Sequence, residues 1–167
     1  YADHPYLQSF PTRRSSDLSL LHRKYPVIRA GQTLQEALDL LASLADTQTV
    51  LVTDANDQPM GCLTAEVLLL QLLDGSIGEL DSGEMPSGLA VKLAGAVSEL
   101  PLEKVVRLAP DDNLAIMLLR AREGSSEWLL VCDGDRILGQ VKIKDLYLAA
   151  ASLALAGDSS DLPFQKL

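Results

Sequence analysis

Residues 49–54 read Thr-Val-Leu-Val-Thr-Asp, and residues 128–133 read Trp-Leu-Leu-Val-Cys-Asp. Each stretch is a solid apolar run that ends on an aspartate and is followed by turn-forming residues. A second matching pair follows: residues 61–68 (GCLTAEVL) and residues 139–146 (GQVKIKDL) both start on glycine and continue into an apolar, helix-like run. The same order of features therefore occurs twice, about eighty residues apart. An internal repeat of this kind predicts two copies of one small unit.

Periodicity and capping residues predict the elements of each copy. Thr33 and Glu36 form a capping box at the start of an amphipathic helix, and the run Asp111-Asp112-Asn113 supplies the cap of the equivalent helix in the second copy. The runs at 50–52 and 129–131 are apolar on both faces, which is typical of a strand covered on both sides. Each copy is thus predicted to be strand, helix, strand, strand, helix. The fold class is α/β (α+β), built of two β-α-β-β-α repeats.

The predicted repeats span residues 19–74 and 97–156, with a glycine-rich linker at 75–96 that includes a short helix, and a tail at 157–167. Residues 1–18 lack periodicity, and part of this leader resembles a translated sequencing adapter. We therefore expect it to be non-native or a disordered tail, and exclude it from the fold.

The composition excludes several classes of function. The chain has 23 acidic against 14 basic residues, a formal net charge of −9, which argues against binding to nucleic acid or anionic membrane. Its longest apolar tract, at 146–156, is too short to span a bilayer. We expect a cytoplasmic protein in which Cys62 and Cys132 are buried free thiols. With two histidines and no P-loop, the sequence predicts no catalytic apparatus and no metal site.

The repeated order of elements, with its Gly–apolar–apolar–Thr type of sequence before the last helix, resembles a tandem pair of cystathionine-β-synthase (CBS) domains. The resemblance implies two repeats packed sheet to sheet about a pseudo-twofold axis. It also implies a non-catalytic regulatory module of the Bateman type. In many such pairs a cleft between the repeats binds an adenine nucleotide and alters an attached effector.

The nucleotide signature of that family is Gly-h-x-[Thr/Ser]-x-x-Asp, where h is apolar, the hydroxyl meets phosphate, and the aspartate receives the ribose hydroxyls. The first repeat keeps Gly61 and Thr64 but has Val67 in place of the aspartate. The second keeps Gly139 and Asp145 and has a lysine at the hydroxyl position. Neither copy is complete. The predicted ligand-binding residues are therefore Asp145, Lys142, Lys144 and Thr64, with Val106 and Leu108 as the apolar wall implied by the family.

Each of these residues also has a purely structural interpretation. Asp145 is favourable near a helix start without any ligand, and Thr64 is suited to capping a helix. Lys142 and Lys144 are equally consistent with solvated side chains, and Trp128 with packing at the domain edge.

The sequence thus predicts a sensor of AMP, ADP, ATP or a related adenosyl ligand such as S-adenosylmethionine, with no required cofactor. The alternative is a ligand-free dimerisation or interaction scaffold. A homodimer is expected from the resemblance, with the apolar helices at 67–73 and 146–155 as candidate faces. The sequence does not identify the effector.

Overall fold

The computed structural model describes residues 20–73, 83 and 88–155. The predicted leader (1–18), the predicted tail (157–167) and residues 75–82 and 84–87 of the predicted linker lie outside the described residues. The chain forms two compact units, which are treated separately. Unit A is residues 26–104, and the described part of unit B is residues 20–25 and 105–155.

Numbered in chain order along the whole molecule, the elements of unit A are β2 (Val27–Arg29), α1 (Leu34–Ser43), β3 (Thr49–Thr53), β4 (Pro59–Thr64), α2 (Ala65–Leu73) and α3 (Leu89–Leu93). The strands form a three-stranded sheet in the order β2-β3-β4, with β2 parallel and β4 antiparallel to the central strand. A short 3-10 turn follows at Val97–Glu99. The predicted order of strand, helix, strand, strand, helix is confirmed, and α3 is the short helix predicted in the linker.

The core of unit A lies between the sheet and its helices. Every residue of β3 is buried, in agreement with the prediction of a strand covered on both sides. Alternate β3 residues, Val50 and Val52, pack with α1 and α2 through Leu34, Leu41 and Leu68. The predicted capping box at the start of α1 is present, because the Glu36 N–H donates to the Thr33 hydroxyl and the Thr33 N–H donates to the Glu36 carboxylate.

The elements of unit B are β1 (Leu21–His22), β5 (Val106–Leu108), α4 (Leu114–Ala121), β6 (Trp128–Asp133), β7 (Arg136–Lys142) and α5 (Ile143–Leu155). The strands form a four-stranded sheet in the order β1-β7-β6-β5. β5 is parallel to β6, whereas β7 is antiparallel to both of its neighbours, β6 and β1. Gly134 has a φ of 57° in the hairpin between β6 and β7, as the predicted Asp-Gly turn requires.

The boundaries of the two compact units differ from those of the predicted repeats. Residues 20–25 lie in unit B, where β1 pairs with β7, although the sequence places them in the first repeat. Residues 97–104 lie in unit A, where Cys62 and Glu103 exchange two backbone hydrogen bonds of 2.9 and 2.8 Å. Each sheet therefore gains an edge partner from a segment that the repeat pattern assigns to the other copy. The strand β1 was not predicted.

Both cysteines are buried and free, which confirms the prediction made from the sequence. None of the helices in the described ranges combines the length with the apolar composition that a membrane span requires.

Candidate functional site

The candidate site lies in unit B, where β7 ends and α5 begins. Lys142 is the last residue of β7, and Asp145 and Lys144 lie in the first turn of α5. The Ile143 N–H donates to the Glu127 carbonyl at 2.9 Å and so fixes the start of the helix. The Asp145 carboxylate, 30% exposed, lies where the positive end of the helix dipole favours a negative charge.

Two side chains that the sequence did not connect with this site lie beside it. The His22 Nε2 atom is 3.5 Å from Asp145 Oδ2, and the imidazole ring lies edge to face with the Trp128 ring at 5.2 Å between centroids. The Lys142 ammonium lies 5.5 Å from the centroid of the Trp128 ring, which is within cation–π range. The site thus combines a carboxylate, an imidazole, an ammonium group and an indole ring.

No local pattern connects His22 with the site, because His22 precedes Asp145 by 123 residues. It reaches the site through strand pairing, in which His22 lies opposite Gln140 and Leu21 lies opposite Val141. Trp128 was interpreted as packing at the domain edge. The ring is partly buried, packs edge to face with His22 and lies within cation–π range of Lys142, which is compatible with that interpretation and brings Trp128 beside the candidate site.

The equivalent junction in unit A is built differently. The Ala65 N–H donates to the Gln48 carbonyl at 2.8 Å, which matches the bond at Ile143 in unit B. Thr64 then caps α2, since its hydroxyl accepts from the Val67 N–H at 3.3 Å. The structure therefore shows Thr64 in its capping role. Val67, partly buried against the core, has no polar atom in its side chain for a ribose hydroxyl.

The predicted site residues fall into three groups. Asp145, Lys142 and Lys144 lie together at one junction, and Thr64 lies in the other unit. Val106 and Leu108 are 4% and 1% exposed and belong to the core of unit B, where they pack with α4 and α5. Their side chains are therefore committed to that core, and their role as an apolar wall stays a prediction.

Unit B also contains the buried thiol of Cys132, and the pKa of this thiol determines how reactive it is as a nucleophile. Burial raises the pKa of the Cys132 thiol, against a smaller opposing effect of the Arg107 guanidinium. Burial, with a contribution from Cys132, likewise raises the pKa of Tyr25. A thiol with a raised pKa stays protonated at neutral pH and is a poor nucleophile. In the part of the chain that the structure describes, no group of three His, Cys, Asp or Glu side chains is arranged to hold a metal ion.

Comparison with known proteins identifies the fold. No family model matches the sequence, and no curated protein does. Solved structures do match over most of the chain. A CBS domain-containing protein of unknown function from Kribbella flavida is 22% identical, with a TM-score of 0.67 over 84% of this chain and 99% of its own.

Two further CBS structures give the same result. The CBS-pair protein CBSX2 from Arabidopsis thaliana is 20% identical, with a TM-score of 0.63 over 84% of this chain and 96% of its own. A CBS-domain protein from Agrobacterium tumefaciens is 21% identical, with a TM-score of 0.55 over 77% and 85%. At these identities the likeness concerns the fold, and it agrees with the mixed α/β units described above. The chain therefore has the fold of a tandem pair of CBS domains.

Proposed function

We propose that this chain is a non-catalytic regulatory module that binds an adenine nucleotide or a related adenosyl ligand at the Asp145 junction of unit B. The single observation that carries the proposal is the partly exposed Asp145 carboxylate in the first turn of α5, with Lys142 and Trp128 beside it. A carboxylate accepts two adjacent hydroxyl donors, as a ribose presents them, and charge-assisted hydrogen bonds of this type are the stronger ones.

The surroundings of Asp145 support a phosphate group on the same ligand. The first turn of a helix carries backbone N–H groups that have no partner within the helix, and its dipole favours anions. Lys142 precedes this turn and Lys144 lies within it, and neither side chain has an acceptor with which to cap the helix, whereas Thr64 caps α2 in unit A. The net charge of −9 does not oppose this, because a small anion responds to the local charges.

In this proposal the ligand regulates an attached or associated effector. A bound nucleotide changes the equilibrium between two arrangements of the module only as far as it binds them with different affinity. Coupling free energies of this type are typically about 1–3 kcal/mol. The effector itself stays unidentified, and a cytoplasmic location remains part of the proposal.

The test is a thermal-shift titration of the full chain with AMP, ADP, ATP, S-adenosylmethionine and GMP. A ligand present at a hundred times its Kd adds about 2.7 kcal/mol of stability, which raises the Tm by several degrees in a domain of this size. We expect a saturable shift with at least one adenosyl ligand and its loss in Asp145→Asn. Asp111→Asn, which removes an exposed carboxylate elsewhere in unit B, is the matched control. An unchanged shift in Asp145→Asn would refute the site.

A second candidate function, a ligand-free scaffold that forms homodimers, is favoured by exposed apolar side chains on two helices. On α2, Leu69 and Leu70 are 46% and 59% exposed, and on α5, Tyr147 and Leu148 are 52% and 57% exposed. Light scattering after size-exclusion chromatography separates the two states, because the monomer is 18.0 kDa. If the chain is dimeric and no ligand shifts its Tm, the scaffold replaces the sensor. A monomer would exclude the scaffold.

A further inference from the structure

The position of His22 at the candidate site is set by the backbone rather than by its side chain. β1 pairs with β7 so that His22 lies opposite Gln140. Gly139 allows the approach, because a Cβ atom there would lie 2.6 Å from the His22 carbonyl oxygen and 2.9 Å from a methyl carbon of Leu21. As long as β1 is paired, the imidazole therefore stays within reach of Asp145.

The contact between His22 and Asp145 involves one of the two carboxylate oxygens. Nε2 is 3.5 Å from Oδ2, and the side chains of His22 and Asp145 are 45% and 30% exposed. At that distance a neutral imidazole gives at best a weak hydrogen bond, whereas a protonated one forms an ion pair. The Trp128 ring, edge to face with the imidazole, holds it at this position.

We propose that His22 competes with a bound ribose for the Asp145 carboxylate, so that protonation of His22 weakens the affinity of the site for adenosyl ligands. This inference rests on the proposed function. Recognition of a ribose diol needs both carboxylate oxygens, and an ion pair with His22 occupies Oδ2. A neutral imidazole gives up Asp145 Oδ2 at little cost in free energy. Even a fully charged pair at an exposed position contributes little.

Histidine is the residue type whose charge ordinarily changes between pH 5.5 and 8, and among the described residues His22 is the histidine in contact with this carboxylate. The elements packed against it carry the Asp145 carboxylate and the Lys144 ammonium on α5 and the Lys142 ammonium on β7, and Arg23 and Lys24 follow it in its own segment. Carboxylates ordinarily titrate below this range, and lysine and arginine titrate above it. A pH effect on ligand affinity in this window is therefore assigned to His22.

The experiment measures the Kd of adenosine by isothermal titration calorimetry at pH 5.5 and pH 8.0 on the full chain. Adenosine is the probe because the phosphate of AMP itself titrates near pH 6. We expect the wild type to bind adenosine about two- to fivefold more tightly at pH 8.0, the range that exposed ion pairs allow. His22→Phe keeps an aromatic ring against Trp128 and removes the proton. It should bind adenosine equally at both pH values.

His4→Phe is the matched control, because His4 is the only other histidine in the sequence. It should keep the pH dependence of the wild type. The proposed competition is refuted if the wild-type Kd of adenosine does not change with pH, or if His22→Phe keeps the pH effect. Either result leaves the proposed function standing. Absence of adenosine and AMP binding at both pH values, in the wild type and in His22→Phe, overturns both. Should His22→Phe fail to fold, His22→Gln takes its place, and the wild-type pH ratio remains decisive.

Discussion

Gly61 in unit A and Gly139 in unit B occupy the same position of the repeat, and both lie directly under another segment of backbone. A Cβ atom on Gly61 would lie 2.7 Å from the Leu102 Cβ and 2.9 Å from the Glu103 carbonyl oxygen. On Gly139 it would lie 2.6 Å from the His22 carbonyl oxygen. In each unit the glycine therefore admits an edge partner for the sheet. The first residue of the nucleotide signature is required by packing, whether or not a ligand binds.

The two units differ three and six residues after the glycine, where the last strand passes into its helix. In unit A the Thr64 hydroxyl accepts a hydrogen bond from the Val67 N–H, so a side chain of the protein itself caps the first turn of α2. Unit B has Lys142 and Asp145 at these positions, and Asp145 contacts the imidazole of His22. The two units therefore share the glycine and differ at the start of the helix, and the ligand site that we propose in unit B depends on that difference.

The first prediction tests the packing role of the two glycines. Gly61→Ala and Gly139→Ala should each lower the free energy of unfolding by about 1–3 kcal/mol, because backbone atoms at under 3 Å must move to admit a methyl group. Urea denaturation followed by circular dichroism measures the loss. Gly31→Ala is the control, since a Cβ there would meet nothing within 4 Å. Stability equal to that of the control would contradict the structural requirement for glycine.

The second prediction restores the missing carboxylate in unit A. Val67→Asp places an aspartate three residues after Thr64, in the first turn of α2, where the helix dipole favours it. We expect the number of AMP molecules bound per chain to rise from one to two. At the new site Val67→Asp should bind AMP about tenfold more tightly than the control Val67→Asn, because hydrogen bonds to a charged group are stronger. Isothermal titration calorimetry gives both numbers. A stoichiometry that stays at one would show that unit A differs from unit B by more than this residue.

Local sequence patterns predicted most of the fold. The capping box at Thr33 and Glu36, the fully buried run in β3 and the turn at Gly134 each depend on residues close together in the chain, and each is confirmed. The strand β1 and the pairing of Glu103 with Cys62 were not predicted. Both are short, have no periodicity, and owe their positions to glycines far away in the sequence. Their physical cause is a close approach of backbones, which no local pattern records.

The candidate site was predicted in part for the same reason. Asp145, Lys142 and Lys144 follow one another at a single junction, so their proximity could be deduced from the predicted strand and helix. His22 arrives by long-range pairing, and Trp128 by its position opposite Lys142 on the neighbouring strand. Cross-strand partners depend on the register of the sheet, and a strand of only two residues such as β1 carries too little pattern to set the register that brings His22 to the site.

The last prediction concerns the helix caps of the two units and has the smallest expected effect. Hydrogen bonds to the Glu36 carboxylate, first from the Thr33 N–H and then from the Gln32 side chain, lower the pKa of Glu36 below its ordinary value of 4.5. A lowered pKa in the folded state means that the cap stabilises unit A fully above pH 4.5 and that this stabilisation is lost as the pH falls through the folded value. The Tm advantage of the wild type over Glu36→Gln should therefore shrink on acidification.

In unit B the cap of α4 is the Asn113 amide, which accepts from the Ile116 N–H and does not titrate. The Tm loss caused by Asn113→Ala should accordingly be the same at pH 7 and pH 3.5, and equal acid sensitivity of the two caps would contradict this difference between the units.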